Sequence, residues 1–282
     1  RTEKHGLGYP ALFDWDGDGK LDLLMGEFET GQKESNIKVY LNKGTNQKPK
    51  YTGEWFYATD IAGDTLTCHQ WCCIGTHPQV VDIDGDGYDD IISGQYNPGK
   101  ISWWRGSAKG FLPRQFIEQE GYEEGGCYQG IMSWSPASNT YWNFTTARFA
   151  DFNGDGLLDL FVAGSGGFRV ALNKGTKEHP VLGLREYLFH VDGTILHIRR
   201  DPEVVVATGK DVVAARVCGG DSHSYISPYD WDHDGVLDLL VHDGYTGKGS
   251  EAIYFFRGVQ TDDGLRFEHA VPLFTSEDGS KA

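Results

Sequence analysis

One nine-residue pattern occurs four times in the chain and constrains its fold more than any other feature. Each copy reads Asp-x-Asp/Asn-x-Asp-Gly-x-x-Asp, and the copies begin at Asp14, Asp82, Asp151 and Asp230. Successive copies start 68, 69 and 79 residues apart. A repeat period well above about 40 residues, with several strands in each unit, is typical of β-propeller blades and argues against a helical solenoid.

The segments after each loop predict strands. An apolar run follows every loop, at 21–26, 90–94, 158–163 and 237–241, and an alternating segment comes next, at 37–41, 101–104, 168–172 and 252–256. A fourth strand is predicted at 49–59 in the first unit and at 265–275 in the last. Two of the units also share an identical Leu-Asn-Lys-Gly-Thr, at 41–45 and 172–176. No segment combines helical periodicity with capping residues.

The sequence therefore predicts an all-β chain of four-stranded propeller blades. Its repeat units span 6–77, 78–146, 147–225 and 226–282, and together they make one domain over 1–282. Two arrangements remain open. The four units close on themselves, with strand 6–14 completing the last blade, or they form part of a larger propeller that further sequence or self-association with a second copy completes.

The loops and the apolar runs after them resemble the FG-GAP or VCBS-type repeat of integrin-like β-propellers. That resemblance implies Ca²⁺ bound in the loop between the innermost strand of each blade and the next strand. Two copies depart from the pattern, with Asn153 in place of Asp and His233 in place of Gly. Neither change removes an oxygen ligand.

Oxygen atoms recur at loop positions 1, 3, 5 and 9, and a backbone carbonyl is expected at position 7. Hard oxygen ligands in a flexible loop favour Ca²⁺ over Zn²⁺ and Mg²⁺. The alternative is that Asp-Gly clusters only form turns. We expect about four structural calcium sites, and their predicted ligands are Asp14, Asp16, Asp18, Lys20 and Asp22; Asp82, Asp84, Asp86, Tyr88 and Asp90; Asp151, Asn153, Asp155, Leu157 and Asp159; and Asp230, Asp232, Asp234, Val236 and Asp238.

The charge of the chain is concentrated in these loops. The formal net charge is −16, from 41 acidic and 25 basic residues, and the predicted ligands include 15 of the acidic ones. Such a balance argues against nucleic acid or anionic lipid as a partner. No apolar run approaches the roughly 18 residues that cross a bilayer, so no membrane insertion is expected. The chain starts at Arg1, as a processed secreted chain or a trimmed one would, and we expect a secreted, cell-surface or periplasmic location.

The face opposite the calcium loops is predicted to carry the function, because its connections are long. They run over about 60–77, 118–145 and 191–224, with further loops at 27–36, 95–99 and 242–251. Polar and aromatic residues collect in these segments. The predicted ligand-binding residues are His5, Trp71, Tyr96, Trp142, Asp221 and His242, and the candidate catalytic residues are His77, His223, Tyr225 and Arg148.

Three classes of function fit this face. The first is carbohydrate binding by stacking on aromatic rings and hydrogen bonding. The second is an enzyme, most plausibly a polysaccharide lyase with a His or Tyr base, because several lyase families are similar calcium-containing propellers. The third is a structural or adhesion propeller that recognises a cell-surface or matrix protein.

The five cysteines leave several interpretations open. Cys68, His69, Cys72 and Cys73 lie close together with His77 beyond them, and this spacing matches no standard zinc pattern. A transition-metal cluster, a disulfide that uses Cys72, Cys73, Cys127 or Cys218, and buried free thiols are the alternatives.

Overall fold

The chain forms two compact units, Arg1–Ile117 and Glu118–Ala282. A computed structural model describes residues 8–27, 34–69, 75–94, 100–120, 147–163, 168–198, 225–242 and 253–274. Within these ranges the regular secondary structure is β-strand. The part of the chain that the structure describes has no helix with the length and apolarity needed to cross a bilayer.

The described residues of the first unit form nine strands. They are β1 (Gly8–Phe13), β2 (Asp22–Glu27), β3 (Glu34–Tyr40), β4 (Phe56–Tyr57), β5 (Thr67–His69), β6 (His77–Val81), β7 (Asp90–Gly94), β8 (Ser102–Trp104) and β9 (Gln115–Phe116). Strands β1 to β4 form one antiparallel sheet in sequence order, with β5 added to the start of β3. Strands β6 to β9 form a second sheet in the same order. We call these sheets blade 1 and blade 2.

Twelve strands lie in the described ranges of the second unit. They are β10 (Glu118–Gln119), β11 (Arg148–Ala150), β12 (Asp159–Val162), β13 (Arg169–Ala171), β14 (Val181–Leu182), β15 (Glu186–Tyr187), β16 (Tyr225–Tyr229), β17 (Asp238–His242), β18 (Ile253–Phe256), β19 (Gly258–Thr261), β20 (Gly264–Phe267) and β21 (Val271–Pro272). Blade 3 has the order β11-β12-β13-β15, and blade 4 has the order β16-β17-β18-β21. Strand β10 pairs with β14 in parallel, and β19 and β20 form a separate hairpin.

The prediction of an all-β chain with four-stranded propeller blades is confirmed. Each predicted second strand is present within two residues of its predicted limits, and each Asp loop joins the first and second strands of a blade. The fourth strands differ from expectation. Of the predicted 49–59, Phe56–Tyr57 forms the strand that pairs with β3. Of the predicted 265–275, Val271–Pro272 pairs with β18 of blade 4, whereas residues 265–267 pair with β19. The outer strands are short, so their pairing depends on tertiary context more than on the local sequence pattern.

Burial differs between the strands in a way that the sequence explains. In β2 and β3 buried and half-buried residues alternate, whereas β7 and β12 are buried throughout. Strands covered on both faces read as continuous apolar runs, as the Ile and Phe of these two strands do. The first unit has a core around Leu24, Ile91 and Trp104, and the second has one around Phe161 and Phe256.

A buried aspartate at loop position 9 fastens each loop to its blade. The four are Asp22, Asp90, Asp159 and Asp238, and none is more than 1% exposed. In blade 4, Asp238 Oδ2 accepts the Trp231 N–H at 2.9 Å and Oδ1 accepts the Gly258 N–H at 2.7 Å. The aspartates of the other three blades accept the same two bonds. One comes from the backbone N–H at loop position 2, and the other from the backbone N–H two residues after the end of the third strand. Each aspartate thus links the loop, the second strand that it begins, and the chain that leaves the third strand.

The shared Leu-Asn-Lys-Gly-Thr segments form the same turn in both units. Asn42 Oδ1 accepts the N–H groups of Gly44 and Lys50, and Asn173 Oδ1 accepts those of Gly175 and Val181. The asparagine amide here replaces a backbone acceptor, which is the usual role of Asx residues in turns. Identical local sequence therefore gives identical local structure in blades 1 and 3.

We predict that replacing one of these aspartates destabilises the protein even without metal. Asp238→Ala leaves two buried N–H groups without an acceptor, and each such group costs about 1–3 kcal/mol. We expect the free energy of unfolding in urea, measured in excess EDTA, to fall by about 2–5 kcal/mol. Asp263→Ala, in an exposed turn, is the control and should change it by less than about 0.5 kcal/mol. Equal effects of the two substitutions would contradict the structural role of Asp238.

Candidate functional site

The Asp loops are built on hydrogen bonds from their own backbone. In every loop the carboxylate at position 1 accepts the N–H of the position-6 glycine, for example Asp14 Oδ2 from Gly19 at 2.8 Å. The carboxylate at position 5 accepts the N–H of position 7, for example Asp234 from Val236 at 2.9 Å. The turn-forming role considered for these residues is therefore present. A carboxylate oxygen has a second lone pair, so the same atoms can also face a cation.

Three of the four loops bring carboxylates together closely enough to hold a metal ion. One oxygen from each member of a group lies within 4.8 Å of the others; the groups are Asp14, Asp16 and Asp22; Asp82, Asp84 and Asp86; and Asp230, Asp232 and Asp234. In the remaining loop Asn153 Nδ2 donates to Asp155 Oδ2 at 2.9 Å, so an amide replaces one carboxylate. The chemistry of the three acidic groups fits a hard dication.

Basic side chains lie across the acidic loops, which the sequence analysis did not anticipate. Arg257 pairs with Asp232 at 2.8 Å and with Asp234 at 3.0 Å. Arg105 pairs with Asp84 and Asp86 in the same way, and Lys20 pairs with Asp18. Among the described residues, no basic side chain pairs with a carboxylate of the third loop. A signal was present in the sequence, because an Arg-Gly pair follows the third strand in both blade 2 and blade 4.

Burial acts against the negative charge of the inner aspartates. Desolvation raises the pKa of the Asp90 carboxyl and of the Asp159 carboxyl to about 6, although both accept two backbone N–H bonds. Around the exposed Asp234 the direction is opposite, because the Val236 N–H and the Arg257 guanidinium lower its pKa. A positive charge near the inner end of a loop would therefore stabilise the charged form of these buried carboxyls most.

The fourth loop contains a strained residue. His233 has φ of 60°, a left-handed conformation that the other three loops assign to Gly17, Gly85 and Gly154. A side chain with a Cβ atom adopts this conformation at a cost of roughly 1–2 kcal/mol. The substitution noted in the sequence is thus accommodated without a change in the course of the loop.

The structure brings three of the predicted upper-face residues together in the second unit. Arg148 and Tyr225 begin the innermost strands β11 and β16, and His242 ends β17 directly opposite Tyr225. The rings of Tyr225 and His242 are 5.9 Å apart, and all three side chains are half-buried. Burial lowers the pKa of the Arg148 guanidinium to about 10, and the neighbouring Tyr225 raises it. We call Arg148, Tyr225 and His242 the upper edge.

Two further predictions fall on buried positions of the first unit. His77 is fully buried, its ring centre is 3.6 Å from that of Tyr9, and its backbone N–H donates to Ser93 Oγ at 2.9 Å. Cys68 is a free thiol in the core of this unit, 3.5 Å from Ser102 Oγ, and burial raises its pKa. The buried-thiol alternative therefore applies to Cys68.

The remaining upper-face predictions lie outside the described residues. They are His5, Trp71, Tyr96, Trp142, Asp221 and His223, together with Cys72, Cys73, Cys127 and Cys218. The side chain of His69 lies outside the described part as well.

An aromatic cleft in blade 1 was not predicted. It has a volume of about 150 Å³ and is lined by Leu41, Lys43, Thr52, Glu54, Trp55 and Phe56. Trp55 is 43% exposed, but the Lys38 ammonium lies 3.9 Å from the centre of its ring and the Tyr57 ring is 5.0 Å away. Both neighbours reduce the ring surface that a ligand can cover.

Comparison with solved structures finds similar chains, and one of them is a lectin structure. It was described for the specific recognition of non-reducing terminal N-acetylglucosamine by a lectin of Agrocybe aegerita. The likeness has a TM-score of 0.45 at 15% sequence identity, and it covers 94% of this chain and 52% of the lectin chain. This chain thus spans about half the length of the lectin. No family model and no curated protein matches the sequence, so the resemblance to FG-GAP and VCBS repeats stays a prediction.

We predict that relieving the strain in the fourth loop stabilises the protein. His233→Gly removes the Cβ atom from the left-handed conformation and should raise the free energy of unfolding by up to about 1 kcal/mol in urea titrations. His233→Ala is the matched control, because it removes the imidazole and keeps the Cβ atom. A gain with alanine as large as with glycine would assign the effect to the imidazole.

Proposed function

We propose that this protein is a calcium-stabilised propeller protein that binds carbohydrate at the upper edge of its blades. The observation that carries the proposal is the grouping of Arg148, Tyr225 and His242 at the strand ends opposite the Asp loops. The proposal concerns the described residues of the second unit.

The three side chains offer the contacts that sugars use. A half-buried tyrosine ring provides a flat surface for the C–H groups of a pyranose, and its hydroxyl provides a polar end. Arg148 and His242 provide donors beside that ring. A guanidinium next to a phenol suits a sugar that carries a carboxylate, since a bidentate bond to the guanidinium would orient it.

The upper edge is a better candidate than the cleft at Trp55. The exposed indole of Trp55 already has an ammonium over its ring, and Lys38 is itself fixed by an ion pair with Glu27 at 2.8 Å. A sugar stacking on that face would have to displace Lys38 from both partners. At the upper edge Arg148 Nη1 donates to the Ala147 carbonyl at 2.9 Å, and a guanidinium has five N–H donors, so it can bind a further acceptor without losing this bond.

Calcium in the Asp loops is the second part of the proposal. Three loops have converging carboxylates, and the protein's own Lys or Arg side chains already pair with them, so these loops attract positive charge. When bound, Ca²⁺ would neutralise the carboxylates more completely than one exposed basic side chain does. We propose a secreted, cell-surface or periplasmic location, because exposed loops of this kind suit the higher calcium concentrations outside the cytosol.

A second candidate function is a polysaccharide lyase at the same edge. Arg148 beside Tyr225 and His242 is the observation that favours it. Arg148 would bind the uronate carboxylate and stabilise the enolate-like intermediate, while Tyr225 or His242 would take the proton next to the carboxylate. β-Elimination would then form a carbon–carbon double bond to the adjacent ring carbon and break the bond from that carbon to the glycosidic oxygen. The released oxygen would take a proton from water or from the protonated base, and an unsaturated uronate would remain.

We predict that saturable binding to an acidic glycan depends on the upper edge. Tyr225→Ala and Arg148→Gln should each weaken binding on a glycan array and in calorimetry by at least about tenfold, which is about 1.4 kcal/mol. Tyr229→Ala is the matched control, since Tyr229 is exposed at the opposite end of the same strand. Circular dichroism checks that each variant is folded.

The outcomes separate the candidates. Growth of unsaturated-uronate absorbance with a polyuronate identifies the lyase, and binding without turnover identifies the carbohydrate-binding protein. Loss of binding in Trp55→Ala but not in Tyr225→Ala would move the site to the cleft of blade 1. No binding and no turnover would leave the structural or adhesion function.

We predict that calcium raises the melting temperature and that Arg257 competes with it. At a free concentration of 100 times the Kd, one site contributes about 2.7 kcal/mol, and excess EDTA should remove this gain. Arg257→Gln leaves the fourth loop without its own cation, so the calcium-dependent rise should be larger than in the wild type. Arg266→Gln removes the same charge at a position whose guanidinium lies over the Phe189 ring. Its melting temperature should rise with calcium as much as that of the wild type. Identical melting in calcium and in EDTA would refute the calcium proposal.

A further inference from the structure

Three histidines of the second unit meet at a place that the functions above do not use. His190 and His197 lie on the segment after β15, and His269 follows β20. Their ring centres are 4.6 Å apart for His190 and His197, 4.2 Å for His190 and His269, and 5.6 Å for His197 and His269. One ring nitrogen from each lies within 4.8 Å of the other two.

Hydrogen bonds fix the tautomers of the two outer rings. His197 Nδ1 is 2.8 Å from the Ile195 carbonyl, so that nitrogen carries the proton and Nε2 keeps its lone pair. His269 Nε2 is 3.1 Å from Asp192 Oδ2, so its Nδ1 keeps the lone pair. A ring that donates one N–H to a carbonyl or carboxylate and presents its other nitrogen is the usual arrangement of a metal-ligating histidine.

The inner ring is held neutral. His190 is fully buried, and its Nδ1 is 3.2 Å from the Phe267 carbonyl, while its Nε2 accepts the His197 N–H at 3.1 Å. Burial and the two neighbouring histidines lower its pKa to about 4. Metal ions bind neutral imidazole, so this ring needs no deprotonation at neutral pH.

The equivalent hairpin of the first unit shows that the fold does not require these histidines. The backbone bond from His190 N to Thr194 O has a counterpart from Asp60 N to Asp64 O. The bonds from Val191 to Phe267 and from Leu196 to Leu188 also have counterparts, from Ile61 to Phe111 and from Leu66 to Ala58. In this alignment the positions of His190, His197 and His269 hold Asp60, Thr67 and Pro113 in the first unit. All three positions have thus become histidine in one copy of the same structure.

The cluster is open to solvent on one side. A cavity of about 250 Å³ is lined by His197, Ile198, His269 and Ala270. His269 is half-exposed and His197 is half-buried, so both rings can adjust. Nitrogen ligands of a tetrahedral zinc ion are about 3.4 Å apart. A shift of these two side chains brings the three nitrogens from within 4.8 Å to that spacing.

We propose that His190, His197 and His269 form a binding site for a borderline transition-metal dication of the zinc class. His197 and His269 contribute the nitrogens that their hydrogen bonds leave available. His190 contributes Nε2, which gives up the hydrogen bond from the His197 backbone N–H when it binds the metal. Because His197 lines the cavity, water can then accept that N–H in place of Nε2. Water from the cavity completes the coordination. Nitrogen ligands disfavour Ca²⁺, so this site and the Asp loops select different metals.

Asp192 is a positioning residue for this site. Its Oδ2 faces His269, and its Oδ1 accepts the N–H and the hydroxyl of Thr194 at 3.0 and 2.6 Å. The carboxylate is therefore fixed on one side and orients the imidazole on the other. Loss of such an outer contact typically weakens metal binding 10- to 100-fold.

The test is metal titration of the full chain in saturating calcium, which occupies the Asp loops. Co²⁺ is followed by its visible spectrum, and Zn²⁺ by competition with a chromophoric chelator. We expect one site with nitrogen ligands, whose spectrum lacks thiolate-to-cobalt charge transfer. The double variant His197→Asn, His269→Gln should weaken zinc binding at least about 100-fold, and Asp192→Asn should weaken it about tenfold.

His179→Gln is the matched control, since His179 is exposed elsewhere in the same unit and its variant should bind zinc as the wild type does. Wild-type zinc affinity in the folded double variant would overturn the proposal. So would a thiolate spectrum, the absence of saturable binding, or an equal loss in His179→Gln. The readouts follow Zn²⁺ or Co²⁺ on nitrogen ligands, and the calcium serves only to compete for the Asp loops, so the result does not depend on the proposed function.

Discussion

The carboxylate at loop position 9 is the contact on which each blade depends. It is buried, it accepts one N–H from the loop and one from the end of the third strand, and it begins the second strand. Two charge-assisted bonds inside a protein are stronger than their exposed equivalents, and losing either partner leaves a buried polar group unsatisfied. This contact also explains the fixed spacing of the motif. The loop must have the length that places its ninth residue, the aspartate, at the start of the second strand.

The same aspartates explain why a stable fold can contain so much local negative charge. Each loop first uses its carboxylates as acceptors for its own N–H groups, so the turn exists without an ion. The remaining charge then has to be balanced. Lys20, Arg105 and Arg257 do this in part from within the protein, and a bound dication would do it more fully. The oxygen atoms that form the turn are therefore the same ones that the proposed calcium sites would use.

The repeats also make the differences between units informative. Blades 1 and 3 share the Leu-Asn-Lys-Gly-Thr turn, whereas blades 2 and 4 place an arginine over the loop at the corresponding point. The two units share a hairpin with matching backbone bonds, yet only the second has histidines at its three meeting positions. Where two units have the same backbone structure, a side chain found in only one of them is not needed for the fold. Such positions are therefore candidates for a functional role.

Much of the fold could be predicted from the sequence alone, because its signals are local. The period of the Asp loops, the apolar runs after them and the positive φ required of the sixth-position glycines each depend on a few neighbouring residues. The four first-to-second-strand hairpins follow directly from them. The limits of the outer strands did not, since Phe56–Tyr57 and Val271–Pro272 lie within the predicted 49–59 and 265–275 but are much shorter, and their pairing depends on tertiary contacts.

The sites divide along the same physical line. Ligand groups that lie within one loop, such as Asp230, Asp232 and Asp234, were evident because nine residues contain them all. Arg257 over that loop, Tyr225 beside Arg148, and the meeting of His190 with His269 join residues that are 23 to 79 positions apart. Local sequence determined the turns and their clusters of carboxylates, and tertiary structure decided which distant side chains meet. The reason is that strand pairing and blade packing, which bring those side chains together, are set by the whole buried surface of a unit and by no single segment of it.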